Sequence, residues 1–353
     1  MRLSQYVARR LILMIPTIIG ATLIVFFLTR AGGVNIIISA YINPHEPYSV
    51  QKAILIKEFG LNQPIYIQYL YFLNGLIHGN WGYTKTGIFS GPVTTAITIF
   101  LPNTIQLAVV SFVIAMLIGI PLGTLAAVRK DSWIDQVTRI MAFIGISVPV
   151  FWLAELLQIY LGTSKGIEIF PLAGTVSGTL IGGIPWINGY GISSPTHLII
   201  VDSLIHGNIP IFLSSSSHVI LPAITLAFTS IAGIMRYMRN SAVETMNLDY
   251  VKFARAKGLS ESVVINKYAR KNALIPVITI SGLLFASLLA GVVVIETIFD
   301  YPGIGYWTVQ AMLNNDAGGI MGATLLFALT IVIANLIVDV IYAYIDPRIR
   351  LGE

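Results

Sequence analysis

The sequence predicts an all-α, polytopic membrane protein with six transmembrane helices and both termini in the cytoplasm. Three observations carry that expectation. Of 353 residues, 56% are apolar and only 10% charged, against about a quarter charged in a soluble domain. Six charge-poor runs approach the roughly 20 residues that a helix needs to cross a bilayer core. The bases are spread unevenly over the segments between those runs, and this sets orientation.

The first run, 11–29, lies between Arg10 and Arg30. Its 19 residues exceed the 7–15 of a signal-peptide core, so it reads as an uncleaved helix despite Arg2, Arg9 and Arg10 before it. Residues 86–128 hold no Asp, Glu, Lys or Arg, and their helix is expected to begin near Pro102. Residues 140–164 contain only Glu155 and read as one span. Residues 203–235 are uncharged and most apolar from Val219 onward; 272–295 and 317–338 complete the set. Each helix keeps its backbone hydrogen bonds to itself, as lipid requires. One further charge-free stretch, 169–201, differs. Six glycines and three prolines crowd into 171–197, so it reads as a loop outside the membrane.

With the N-terminus inside, the cytoplasmic segments carry 16 of the 21 Lys and Arg residues: Arg2, Arg9 and Arg10; Arg129, Lys130 and Arg139; eight from Arg236 to Lys271; and Arg348 and Arg350. The opposite side carries Arg30, Lys52, Lys57, Lys85 and Lys165. Residues 1–353 thus form a single transmembrane domain, with extracytoplasmic loops 31–98 and 163–217 and a cytoplasmic loop 236–271. The net charge of +5 is a topology signal and not a nucleic-acid surface, which needs a basic face on a soluble domain. The absence of cysteine excludes disulfides, thiolate metal sites and cysteine catalysis.

Loop 236–271 is charged, lacks proline and carries helix punctuation. Asn247 or Asp249 can cap a short helix starting near Tyr250. The stretch Val251 to Lys257 has helix-compatible residues with bases toward its C-terminal end, where the dipole favours them. Gly258 then stands where a left-handed residue ends a helix. Ser260 can cap a second helix, with Glu261 in its first turn. Two short helices should therefore meet at a tight Gly258-Leu259-Ser260 corner. Such a corner is either an ordinary basic inside loop or a knob that docks into a cytosolic partner.

The segment from Asp249 to Ser260, continued by Arg270-Lys271-Asn272-Ala273-Leu274-Ile275-Pro276, resembles the cytoplasmic signature of ABC transporter permeases of the dipeptide/oligopeptide/nickel family. Val294 to Gly305 resembles the family's segment leaving the fifth helix, and Asp346 to Gly352 its C-terminal ending. Ala8-Arg9-Arg10 through Pro16-Thr17 resembles the start of the subunit with the long first extracytoplasmic loop; Leu61-Asn62-Gln63-Pro64 and Gly119-Ile120-Pro121-Leu122-Gly123 also fit. The similarity spans nearly the whole chain. It departs where the general permease motif begins Glu-Ala-Ala, since Lys252, Phe253 and Ala254 stand there. Loop 163–217 is longer than the family's usual loop, which leaves the substrate open.

The resemblance implies a type I ABC importer permease fold and a division of labour. A second homologous permease subunit completes the pathway, two cytosolic ABC ATPase subunits bind ATP, and an extracytoplasmic substrate-binding protein delivers peptide. Asp249, Tyr250, Ala254, Arg255, Ala256, Lys257, Gly258 and Leu259 would couple to the ATPases. The chain itself would be no enzyme and hold no cofactor. Its sequence contains no Gly-Lys pair, hence no phosphate-binding P-loop, and no His-Glu-x-x-His or Gly-x-Ser-x-Gly. Oligosaccharides are the alternative cargo, and an ion-coupled secondary carrier the alternative class. That carrier would use Glu155 or Asp339 and show inverted repeats; no repeat is visible.

Polar residues within the runs are functional candidates because burying them in lipid is costly. Glu155, with Gln158 one turn on, either lines the translocation pathway or bonds to the second permease. Glu296, at the outer end of the fifth run, and Asp339, in the last, read as pathway or local structural groups. Gly282, Ala286 and Ala290 form a small-residue row suited to close helix contact. The five histidines, 45, 78, 197, 206 and 218, match no metal-ligand spacing. Trp81, Trp186 and Trp307 fall outside the membrane, as interface anchors or contacts for a binding protein or sugar.

Overall fold

A computed structural model describes residues 3–43, 45–162, 166–167, 169–187 and 194–345. Helix α1 (Leu3–Ala31) is followed by a small element made of α2 (Tyr48–Glu58), α3 (Ile65–Ile77) and an antiparallel hairpin of β1 (Tyr83–Lys85) and β2 (Ser90–Pro92). Then come α4 (Val93–Val128), α5 (Trp133–Ser147), α6 (Val150–Gly162) and α7 (Ile209–Met246). Helix α8 (Asp249–Ala256) precedes α9 (Arg270–Ile298), α10 (Ile304–Leu313) and α11 (Ala317–Ile345).

Among the described residues, five helices are long and apolar enough to cross a membrane, and a sixth span exists only if α5 and α6 are taken together. That pair departs from the sequence expectation. The run 140–164 is not one rod but two helices bent by 101°. The cause lies in Ser147-Val148-Pro149: Val148 is extended, with ψ 124°, as a residue before proline tends to be. Pro149 then supplies the N-cap of α6. A second departure concerns α4, which begins at Val93 rather than near Pro102. Pro102 stands inside that helix. Helix α7 starts at Ile209 and ends at Met246, so ordered helix takes up part of both flanking loops.

Helix α7 is the central post. It packs against α4, α5 and α9, and glycines bring the backbones close. A Cβ on Gly123 would stand 2.5 Å from the Met235 carbonyl oxygen, and one on Gly145 2.6 Å from the Ala232 Cβ. Leu107, Leu221, Leu226, Leu288 and Ile295 build the core between these helices. Gly282 lets α9 close on α11, since a Cβ there would meet Val338 at 2.8 Å; the side chain of Ala290, in the same small-residue row, lies outside the described residues. Helix α1 packs chiefly along α11, where Arg10 and Asp339 pair at 3.0 Å.

The bundle has two ends. One carries the corner at 249–260 and the turn at 129–132. Here Asp135, fully buried, accepts two hydrogen bonds from Arg239 at 2.6 and 2.8 Å, fastening α5 to α7. The other end carries the hairpin. There Asp316, just before α11, accepts from the Thr84 hydroxyl at 2.5 Å and the Lys85 N–H at 2.9 Å. Residues expected to form the family-like ending, Asp346 to Gly352, lie outside the described residues, as does Lys165.

Candidate functional site: the corner at 249–260 and the return loop at 296–306

The corner is built from its own sequence. Helix α8 begins after Leu248, which is extended and makes no side-chain cap. This corrects the expected capping residue. Asn247 instead closes α7, its side chain donating to the Val243 carbonyl at 3.0 Å, and Asp249 lies in the first turn of α8. The helix ends as Gly258 takes φ +74°, a left-handed conformation that costs glycine little and residues with a Cβ more. Ser260 then opens the next turn, Glu261–Val263, by accepting backbone N–H bonds from Val263 and Val264 on its carbonyl and not through its hydroxyl. A π-helical stretch, Val264–Ala269, leads into α9.

Burial holds the corner together. Val251 and Ala254 on the inner face of α8 pack on Val264 and Tyr268, and the Tyr250 hydroxyl accepts a hydrogen bond from Asn272 at 2.8 Å. Arg255 spans the bend to Glu261 with bonds of 2.7 and 3.2 Å. The carboxylate raises the Arg255 pKa, holding the pair charged. At 40% and 56% side-chain exposure the pair is solvent-screened and contributes under about 1 kcal/mol. It aligns the corner more than it stabilises it.

The outer face is apolar. Phe253 is 61% exposed, with Lys257 4.5 Å from its ring centroid, and Leu259 is 38% exposed. Tyr250 and Leu248 add to the same face. Ala256 ends the helix, and nothing stands within 4 Å of where a Cβ on Gly258 would project. The result is a short helical knob with apolar and charged groups on its surface, Asp249 and Glu261 among them.

At the other end of α9 the chain turns back sharply. The Glu296 carboxylate is fully buried; it accepts the Thr104 hydroxyl at 2.7 Å and the Tyr306 N–H at 3.1 Å. Thr104 in turn accepts the Ile304 N–H at 2.8 Å, and Asn103 donates to the Pro302 carbonyl at 3.0 Å. Both glycines are needed here: a Cβ on Gly303 would lie 2.1 Å from Glu296 Oε1, and one on Gly305 would lie 2.4 Å from the Val293 Cα and 2.9 Å from Glu296 Oε2. The Glu-x-x-x-x-x-Pro-Gly-x-Gly pattern is thus one unit: an acid that receives the start of α10, and glycines that let it.

Both units fall inside a region, residues 119–351, that matches the family of binding-protein-dependent transport system inner membrane components. The chain belongs to this family. It is 36% identical over 348 residues, 98% of each chain, to the dipeptide transport system permease protein DppB of Escherichia coli. It is 35% identical over 357 residues, 99% of this chain and all of the relative, to the oligopeptide transport system permease protein AppB of Bacillus subtilis. A third relative, the probable D,D-dipeptide transport system permease protein DdpB of Escherichia coli, is 38% identical over 301 residues, 84% of this chain and 83% of its own.

In this permease the residues singled out from sequence do not converge on one place. Asp249 through Leu259 sit together at the corner. Glu155 lies exposed on α6. Gln158, expected on the same face, begins a π turn and turns inward; its amide donates to the Leu172 carbonyl at 2.9 Å and the Ile298 carbonyl at 3.0 Å. It ties the glycine-rich loop to the end of α9. Among the described residues three buried acids, Asp135, Asp202 and Asp316, are not marked out in the sequence as functional or structural candidates. Asp135 was detectable as an acid in the first turn after Ser132, which caps α5, and four residues before Arg139. Asp316, in a loop without bases, offered no local signal, because its partners lie 231 and 232 residues away.

Proposed function

We propose that this permease forms half of the translocation pathway of an ATP-driven ABC importer for peptides. The observation that carries the reading is the knob at 249–260. Its buried side packs on the permease and its exposed side, Phe253 and Leu259, suits a groove in a cytosolic protein. Helix α9 continues from the knob to the return loop, so a push on the knob can tilt a helix that runs the length of the bundle. Alternating access then follows as a bistable packing biased by a ligand held in a partner. ATP is bound and hydrolysed by two partner ATPases, and a second homologous permease completes the pathway. An extracytoplasmic binding protein delivers peptide, the cargo that the names of the relatives support. The base distribution supports placing the corner end in the cytoplasm and the hairpin end outside. Among the candidate pathway residues, Glu155 is the exposed one and is assigned to the pathway wall, with Gln158 and Glu296 supporting the frame around it.

Affinity purification of the full chain from its native membranes tests this. The expected result is co-purification of a second permease and two ATPases, with hydrolysis of ATP that the chain stripped of partners lacks. Hydrolysis by the chain alone, or purification without any ATPase, would overturn the reading.

A further inference from the structure

At the hairpin end, the last turns of α1, the α2–α3 element and the start of α11 enclose a cavity of about 520 Å³. Its wall carries Arg30, Lys57 and Glu58 among aromatic rings, Tyr41, Phe72 and Trp81 included. Arg30 sits with its guanidinium 4.9 Å from the centroid of the Phe26 ring, and its Nε is buried with no hydrogen-bond partner. A buried, unmatched N–H on a cation calls for an anionic acceptor. A second chamber of about 330 Å³ adjoins it, made by α1 and α11 further along their length, at Ile18 and Thr22 and at Leu325 and Val332, and by the other side of the same stretch of α3, at Leu76. This chamber is almost wholly apolar, and Trp81 belongs to both walls. Ile19 and Ile77 at its rim are exposed large apolar residues, so it opens to the side of the bundle.

We infer that the two chambers together form a binding site for one glycerophospholipid with a zwitterionic headgroup, in the leaflet at the hairpin end. The phosphate lies on Arg30 with Lys57 as second base. The ammonium lies toward Glu58 and the aromatic rings, which attract cations. One acyl chain descends past Trp81 into the apolar chamber. The dimensions agree. From Arg30 down to Ile18 is twelve residues of helix, about 18 Å at 1.5 Å per residue, close to the half-thickness of about 15 Å of a bilayer's hydrocarbon core. A peptide would suit the upper chamber but would leave the side-opening apolar one unmatched. Such a lipid would bridge α1, α11 and the α2–α3 element.

The test uses the full chain with its co-purifying subunits in nanodiscs, and a phosphatidylethanolamine carrying a photoreactive acyl tail. A diacylglycerol with the same tail is the control. The expected result is labelling at 18–22 and 325–332 at least fivefold above the control, falling to the control level in Arg30→Ala. Ala328→Trp, which fills the lower chamber, should lose the tail labelling with Arg30 intact, and it serves alone if Arg30→Ala fails to accumulate. Equal labelling by both probes, labelling unchanged by either substitution, or displacement of the probe by a millimolar dipeptide would each overturn the inference. The last would make the upper chamber a peptide site.

Discussion

Replacing Gly303 with alanine should destabilise the permease far more than a Gly→Ala change on a surface. The new Cβ would lie 2.1 Å from Glu296 Oε1, 2.2 Å from Cδ and 2.4 Å from Oε2. Ordinary contact begins near 3.4 Å, so the carboxylate must retreat by about 1.3 Å. That breaks its bonds to the Thr104 hydroxyl and the Tyr306 N–H at a site buried from bulk solvent. At about 1–3 kcal/mol per buried group left unsatisfied, the cost is about 4 kcal/mol, at the upper end for single substitutions. The backbone is not the reason, because Gly303 has φ −106°, open to any residue. A double-mutant cycle isolates the cause. Thermal unfolding in detergent should show Gly303→Ala strongly destabilised and Glu296→Ala destabilised. In the Glu296→Ala background, adding Gly303→Ala should cost at least 2 kcal/mol less than it does alone. Additive effects would refute the clash as the cause.

Three further outcomes are expected. Gly258→Val places a β-branched residue at φ +74° in open space; it should cost about 1–2 kcal/mol locally, leave membrane abundance near normal, and cut ATPase co-purification and transport, read from the same preparation. Asp135→Ala removes the buried carboxylate that accepts two bonds from the 16%-exposed Arg239. It should cost about 3–5 kcal/mol, with most of this regained in Asp135→Leu/Arg239→Met, as measured by unfolding midpoints. Since the chain has no cysteine, single cysteines report topology cleanly. Those in 31–98 should react with an impermeant reagent from outside and those in 240–268 should not; the reverse pattern would invert the orientation.

What the sequence disclosed depended on how local the cause was. The corner was legible because each device in it acts within a few residues: Gly258 ends a helix, Ser260 and Glu261 begin a turn. The capping detail is not legible because Asn247 finishes the preceding helix, which continues eleven residues beyond its charge-free run. The broken span is not visible in the charge pattern. Absence of charge measures length in lipid but is blind to direction, and only Pro149 carried the bend. Helix α4 begins nine residues before Pro102 because a membrane helix tolerates an internal proline, whose freed backbone groups are re-satisfied by their neighbours. Gln158 and Glu296 share a history. Both are polar residues at the edge of apolar runs, and which neighbour claims them depends on loops returning from elsewhere in the chain, Leu172 for one and Tyr306 for the other.

The most direct measurement is uptake of a radiolabelled dipeptide into proteoliposomes holding the purified complex and its binding protein, with ATP supplied on the side of the corner. Uptake should require ATP, be abolished by Gly258→Val at unchanged permease level, and be unaffected by collapsing ion gradients. Uptake that persists without ATP and follows an imposed proton gradient, or that transports oligosaccharide and not peptide, would contradict a peptide importer driven through the knob at 249–260.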